Sequence, residues 1–240
     1  MKFPILASSI VFVIWLAVMI HKSNSSGNKS RESFWEKEIR ADATSGKPLD
    51  DIAFITIPME RLHPDTLAND PRAAEYVERF TYLSNEKVVN LTGITNTDLK
   101  LKYGAPNIEK LMRYDQNYTT LARTLQEYAQ LLYDKGHIAE AKDVLEFALE
   151  THTDVSGSYR LISEIYKSEG NADAIRSLLP EAEKLNSVMK KHIIDILMDY
   201  YKTTPSNTDT VHGTDTATDA DTATGADTAT GADTDSTDKD

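Results

Sequence analysis

The sequence predicts an all-α fold built from helix–turn–helix units stacked side by side. Two observations carry this. Gly136 and Gly170 stand 34 residues apart, each between stretches whose apolar residues recur at helical spacing. The most strand-like run, "DIAFITIP" from Asp51 to Pro58, alternates poorly and has no second run to pair with, so it reads as an extended segment laid against helices.

The elements come in order. "FPILASSIVFVIWLAVMI" (Phe3 to Ile20) is free of charge. As a helix it would span roughly 27 Å, close to a bilayer core. A signal peptide needs a small-x-small site after such a run, and "AVMIHKSNSSGNKS" offers no convincing one. Residues 1–21 are therefore expected to be an uncleaved, single-pass membrane anchor. Lys22, Lys29 and Arg31 outnumber Lys2, which favours a cytoplasmic body. A short N-terminal tail with a lysine is, however, the form of a signal-anchor that exports the chain beyond it. An extracytoplasmic body is the expectation.

Residues 22–49 read as a linker. "HKSNSSGNKSRES" is a flexible spacer by composition. "FWEKEIRADA" is a short juxtamembrane helix whose Phe34 and Trp35 sit either at the lipid interface or on the folded domain. The folded domain is expected over 50–202. Pro71 opens a helix to Leu83. Thr97 or Asn96 caps a short helix through Tyr103, which Gly104 and Pro106 end. Asn107 caps another from Ile108 to Tyr114, and Asp98 and Asp115 read as helix-capping acids.

The next segment carries the period. In 34-residue frames starting at Ala122 and Ser156, both glycines fall at position 15. Position 7 is Tyr128 then Ile162, and position 8 is Ala129 then Ser163. Position 11 is Leu132 then Tyr166, and position 20 is Ala141 then Ile175. Position 24 is Leu145 then Leu179, and position 27 is Ala148 then Ala182. Small residues at 8, 20 and 27 let helices approach closely, and glycine at 15 ends the first helix in a left-handed cap. This pattern resembles the tetratricopeptide repeat over about residues 122–189, with one strong unit and one weaker one. The second unit departs from it at Ile175 and at Pro180, which is expected to kink or split its helix. "NSVMKKHIIDILMDYYK" (Asn186 to Lys202) then reads as a C-terminal capping helix, apolar at Val188, Met189, Ile193, Ile196, Leu197 and Tyr200.

The resemblance implies a concave face lined by positions 2, 5, 9 and 12. These are Arg123, Gln126, Gln130 and Tyr133, then Gly157, Arg160, Glu164 and Lys167. Such a groove would hold an extended peptide. Gln126 and Gln130 occupy the places where members that grip a C-terminal carboxylate carry Lys and Asn, so that mode is not expected.

Residues 203–240 hold nine aspartates and one lysine, a formal −8 of the chain's −12, which leaves −4 for the other 202 residues. "ADTATG" occurs twice in succession there, with no leucine, isoleucine or aromatic residue, so a disordered tail is expected. Its aspartates lack the glycine turn and bidentate glutamate of a calcium loop. The near-neutral remainder has no basic stripe for nucleic acid. The chain has no cysteine, which removes disulfides, thiolate zinc sites and cysteine nucleophiles. No histidine pair has metal-ligand spacing, and no nucleophile elbow, phosphate loop or dinucleotide fingerprint occurs. Asn24, Asn28, Asn90 and Asn117 begin Asn-x-Ser/Thr triplets. The expectation is a membrane-anchored scaffold or adaptor that binds another protein, with no catalysis, cofactor or metal. The alternative is a structural or accessory subunit of a membrane complex, self-associating through the capping helix or the Tyr76/Phe80 region.

Overall fold

The computed structural model describes residues 3–205, all helix, turn and extended connection, with no β-strand among them. The side chains of residues 3–7, 9–10 and 21–31 fall outside the described set. So does the acidic tail, apart from residues 203–205.

The first helix, α1 (Phe3–Asp42), is continuous. The segment expected to be a flexible spacer is part of this helix rather than a break in it. Residues 11–20 are all exposed. Among the described residues no helix is long and apolar enough to cross a membrane.

The C-terminal end of α1 docks on α3 (Asn96–Tyr103). Ala41 is fully buried there, its small side chain allowing close approach. Lys100 reaches up from α3 and pairs with both Glu38 and Asp42, the latter at 2.6 Å. Lys37 meets Asp98 at 2.8 Å, and the Thr97 hydroxyl donates to Glu38. Packing against the domain thus begins near Lys37, upstream of residue 50. Phe34 and Trp35 take no part in it. They are 56% and 59% exposed and touch each other edge to face. The docked face of α1 is its polar one, because the lysine on α3 attracts carboxylates.

Beyond α1 the chain runs extended across the domain. Lys47 N–H donates to Tyr103 O, and Ile55 N–H donates to Val88 O. Ile52 and Ile57 are buried along it, as an extended segment laid on helices requires. A 3-10 turn at Met59–Leu62 comes next. It is tied to the repeat by Arg61, bidentate on Glu150 at 2.8 and 2.9 Å, and by His63, 2.7 Å from Asp143.

α2 (Pro71–Ser84) starts at the expected proline, and the Asp70 side chain accepts from Arg72 and Ala73 N–H. The cap of α3 is Thr95, one residue before the expected pair. Its hydroxyl oxygen accepts from Asp98 N–H, and its O–H donates back to the Asp98 carboxylate. Asn107 does not cap α4 with its side chain. Its amide nitrogen instead donates to Lys47 O and Tyr103 O. Nor does Asp115 cap a helix: it lies inside α4 and accepts from Leu91 N–H at 3.0 Å. α4 runs unbroken from Ile108 to Asp134, longer than the Ile108–Tyr114 helix expected, because nothing between contains proline or glycine. Thr119, Thr120 and Thr124 each donate a hydroxyl to the carbonyl four residues back, which satisfies these hydroxyls within the helix.

The packed helices are compatible with a helical repeat, and the 34-residue spacing recurs in their starts. α5 (Ile138–Glu150) and α7 (Ala172–Lys184) begin 34 residues apart. α6 (Ser156–Ser168) and α8 (Lys190–Thr203) do the same. Gly136 and Gly170 both take positive φ, 84° and 66°. Their caps match bond for bond. Gly136 N–H donates to Tyr133 O and His137 N–H to Leu132 O; Gly170 N–H donates to Lys167 O and Asn171 N–H to Tyr166 O. Reaching back five residues, the second bond of each pair satisfies a carbonyl that the helix end would leave orphaned.

Leu125, Tyr128, Leu132, Ala141, Leu145 and Ala148 are all fully buried, and the main core continues through Ile162, Ile175, Ala182 and Leu197. A smaller cluster around Leu99, Tyr103 and Leu111 sits under α3. Two expectations fail here. Pro180 does not split α7, which continues through it, with the proline on the exposed side. Val188 is not on the apolar face of the last helix: it is 97% exposed, because α8 starts only at Lys190. Phe80 is buried and Tyr76 half-buried, with rings 5.6 and 5.9 Å from that of Tyr128.

Candidate functional site

α6 packs against both α4 and α8. Helix periodicity decides what they show. Positions 4, 7, 8 and 11 turn inward, which leaves positions 2, 5, 9 and 12 for the open face.

The structure joins most of the expected face. The Tyr133 hydroxyl, on α4, donates to Glu164 on α6 at 3.2 Å. Gln126 lies along α6 where Gly157 leaves room: a Cβ at Gly157 would stand 3.1 Å from the Gln126 amide nitrogen. Lys167 continues the line to α8, donating to the Thr203 hydroxyl at 2.9 Å and lying over the Tyr200 ring. Two residues behave otherwise. Gln130 turns along its own helix to donate to Asp134 at 2.9 Å. Arg123 is exposed, and among the described residues it enters no hydrogen bond or ion pair with the rest of the face.

Between α6 and α8 lies an open groove of about 470 Å³. Arg160 and Lys167 line it from α6; His192, Asp195, Ile196, Asp199, Tyr200 and Thr203 line it from α8. The α8 residues are a part of the site that the sequence hides, because an amphipathic last helix reads as a cap. The 34-residue period reaches the start of α8 at Lys190, but its face positions there, Lys191, Ile194, Met198 and Tyr201, are not the residues that line the groove.

The tyrosines of this face are neutral donors. Burial pushes the Tyr133 hydroxyl up, and the Glu164 carboxylate beside it adds to the effect. Burial does the same at Tyr200, again with Glu164 contributing, while Arg160 pulls the other way. A protonated tyrosine, an amide and a guanidinium supply donors for backbone carbonyls and carboxylates; Glu164, Asp195 and Asp199 supply acceptors. Such a set suits polypeptide.

Elsewhere the molecule offers less. A larger open hollow, about 610 Å³, lies between the turn at Pro64 and α2, with Leu67, Val77 and Tyr82 on its walls and Glu78 as its one charged lining residue. Among the described residues no group of three or more histidines and carboxylates could hold a metal ion. Asn90 and Asn117 are committed to the fold. Asn90 donates its amide to Thr151 O and His152 O at 3.1 Å, and Asn117 donates to Lys87 O at 3.0 Å. No family model matches the chain, and no curated protein and no solved structure matches it.

Proposed function

We propose that this chain is a membrane-anchored protein–protein interaction module of the tetratricopeptide type, a non-catalytic scaffold or adaptor that holds a partner polypeptide along the face shared by α4, α6 and α8. The observation that carries the reading is the 34-residue recurrence of hairpin starts and cap bonds, which lines up the open faces of successive leading helices. The anchor reading rests on the uncharged run 3–20 and is supported by the exposure of Val11, Phe12, Ile14, Trp15 and Leu16, which no part of the domain covers. An extracytoplasmic domain is part of the proposal, and protease access in intact cells tests it.

The test of the binding face uses the full chain in detergent and a partner recovered from its own membranes. Tyr133→Ala combined with Arg160→Glu is expected to weaken that partner's affinity about tenfold or more. Unchanged affinity would remove the assignment.

One observation favours a second reading, the self-associating accessory subunit. Phe34, Trp35 and Ile39 stand exposed together near the docked end of α1. Sedimentation of the full chain separates the two. A tight homo-oligomer abolished by Trp35→Ala favours the accessory subunit, and a monomer favours the adaptor.

A further inference from the structure

Throughout the domain, opposite charges on neighbouring elements find one another. Arg61 meets Glu150, Lys142 meets Glu169 at 2.9 Å, Lys135 meets Asp70 at 3.0 Å, and Lys100 holds two carboxylates at once. The groove between α6 and α8 is different. Cations stand on its α6 wall, at Arg160 and Lys167, and carboxylates on its α8 wall, at Asp195 and Asp199. Among the described residues, none of these four enters an ion pair, and Lys167 directs its ammonium to a hydroxyl. The lining cations of α6 and the lining carboxylates of α8 carry opposite signs, and Lys167 crosses to α8 only to bond the Thr203 hydroxyl.

Their spacing says what would bridge them. Lys167 and Thr203 meet near the C-terminal ends of α6 and α8, so the two helices run side by side in the same sense along the groove. Asp195 and Asp199 are four residues apart on a helix, a rise of about 6 Å. An extended peptide repeats its side chains on one side every second residue, about 6.7 Å. Two basic residues at i and i+2 therefore meet the two aspartates in register. The residue between them points to the opposite wall, where Arg160 and Lys167 favour an acid. Ile196 and Tyr200 offer apolar surface for the aliphatic stems of long charged side chains.

Resting on the peptide-groove reading above, we infer that the groove between α6 and α8 selects an extended segment of alternating charge, basic–acidic–basic. A single-sign segment satisfies one wall and is repelled by the other, so selection is by pattern rather than by net charge.

The test is fluorescence anisotropy with the full chain in detergent micelles and labelled octapeptides: alternating lysine and glutamate, octaglutamate and octalysine. The alternating peptide is expected to saturate and to bind about tenfold or more tighter than either single-sign peptide, with affinity falling as salt rises. Arg160→Glu alone and Asp199→Lys alone are each expected to weaken it about tenfold. The double variant Arg160→Glu/Asp199→Lys, which exchanges one charge on each wall, should recover part of the loss. Both side chains are exposed, so folding is not at stake. The inference is overturned if octaglutamate or octalysine binds as tightly, if the alternating peptide does not saturate, or if neither single variant weakens it. A native partner that cross-links to the Tyr133 position while the alternating peptide fails to bind would overturn this inference and leave the groove reading standing.

Discussion

Gly136 and Gly104 both take positive φ, yet alanine at the two sites should behave differently. At Gly136, φ is 84° and a new Cβ would meet nothing within 4 Å. The penalty is conformational only, about 1–2 kcal/mol. At Gly104, φ is 90° and the Cβ would come within 2.1 Å of the Ser45 carbonyl oxygen. Backbone must move there, so Gly104→Ala is expected to lower the urea midpoint more than Gly136→Ala. Gly46→Ala, whose Cβ meets only ordinary contacts at 3.8 Å, should leave it nearly unchanged. A second residue-scale prediction concerns the triplets. The Asn90 and Asn117 amide nitrogens already serve backbone carbonyls, so mass spectrometry of protein made in a glycosylating host should find both unmodified. These commitments have no sequence signature, because Asn90 bonds residues 61 and 62 positions away.

At the scale of the element, the docked end of α1 is an electrostatic joint, and its pH dependence comes from its groups. Hydrogen bonds from Lys100 and Thr97 hold the Glu38 carboxyl below its ordinary value of 4.5, and Lys37 and Thr95 do the same for Asp98 from 3.8. A depressed carboxylate contributes stability present above its unfolded pKa and lost as pH falls through the folded one. Lys100 is shifted the other way, raised from 10.5 by Asp42 and Glu38. Its contribution is full below 10.5 and is lost as pH rises through the folded value. Protection of residues 37–47 from hydrogen exchange, taken relative to the intrinsic rate at each pH, should therefore be greatest between these windows and fall below about pH 4. Lys100→Ala should lower it at neutral pH.

Another element-scale prediction tests the seam. Ala148 is fully buried where α5 meets its neighbours, and Ala148→Leu is expected to destabilise by about 1–3 kcal/mol in a urea titration. The helices set by the period are legible in the sequence because glycine, alanine and leucine recur at fixed offsets. The joint of α1 with α3 is not, since a salt bridge 62 residues apart leaves no periodic trace. The length of α4 is hidden by its threonines, which look like a loop but lie within the helix, their hydroxyls bonding back to the carbonyl four residues before. Of the expected face, Gln126, Tyr133, Glu164 and Lys167 come together across helices, while Arg123 stands alone and Gln130 bonds along its own helix. The α8 wall escapes the frame count, because its residues fall outside the face positions of a frame begun at Lys190.

For the molecule as a whole, three parts join: an uncharged N-terminal run, a docked helix end and an open face on α4, α6 and α8. The central claim is that this face holds another polypeptide. Photo-cross-linking in intact membranes tests it most directly. A photoreactive amino acid is placed at Tyr133, at Arg160 or, as a control away from the face, at Glu75, which is exposed on α2. The expected result is one and the same adduct, larger than the chain, from Tyr133 and Arg160 and none from Glu75. No adduct from the two groove positions, or an equal one from Glu75, would contradict the claim.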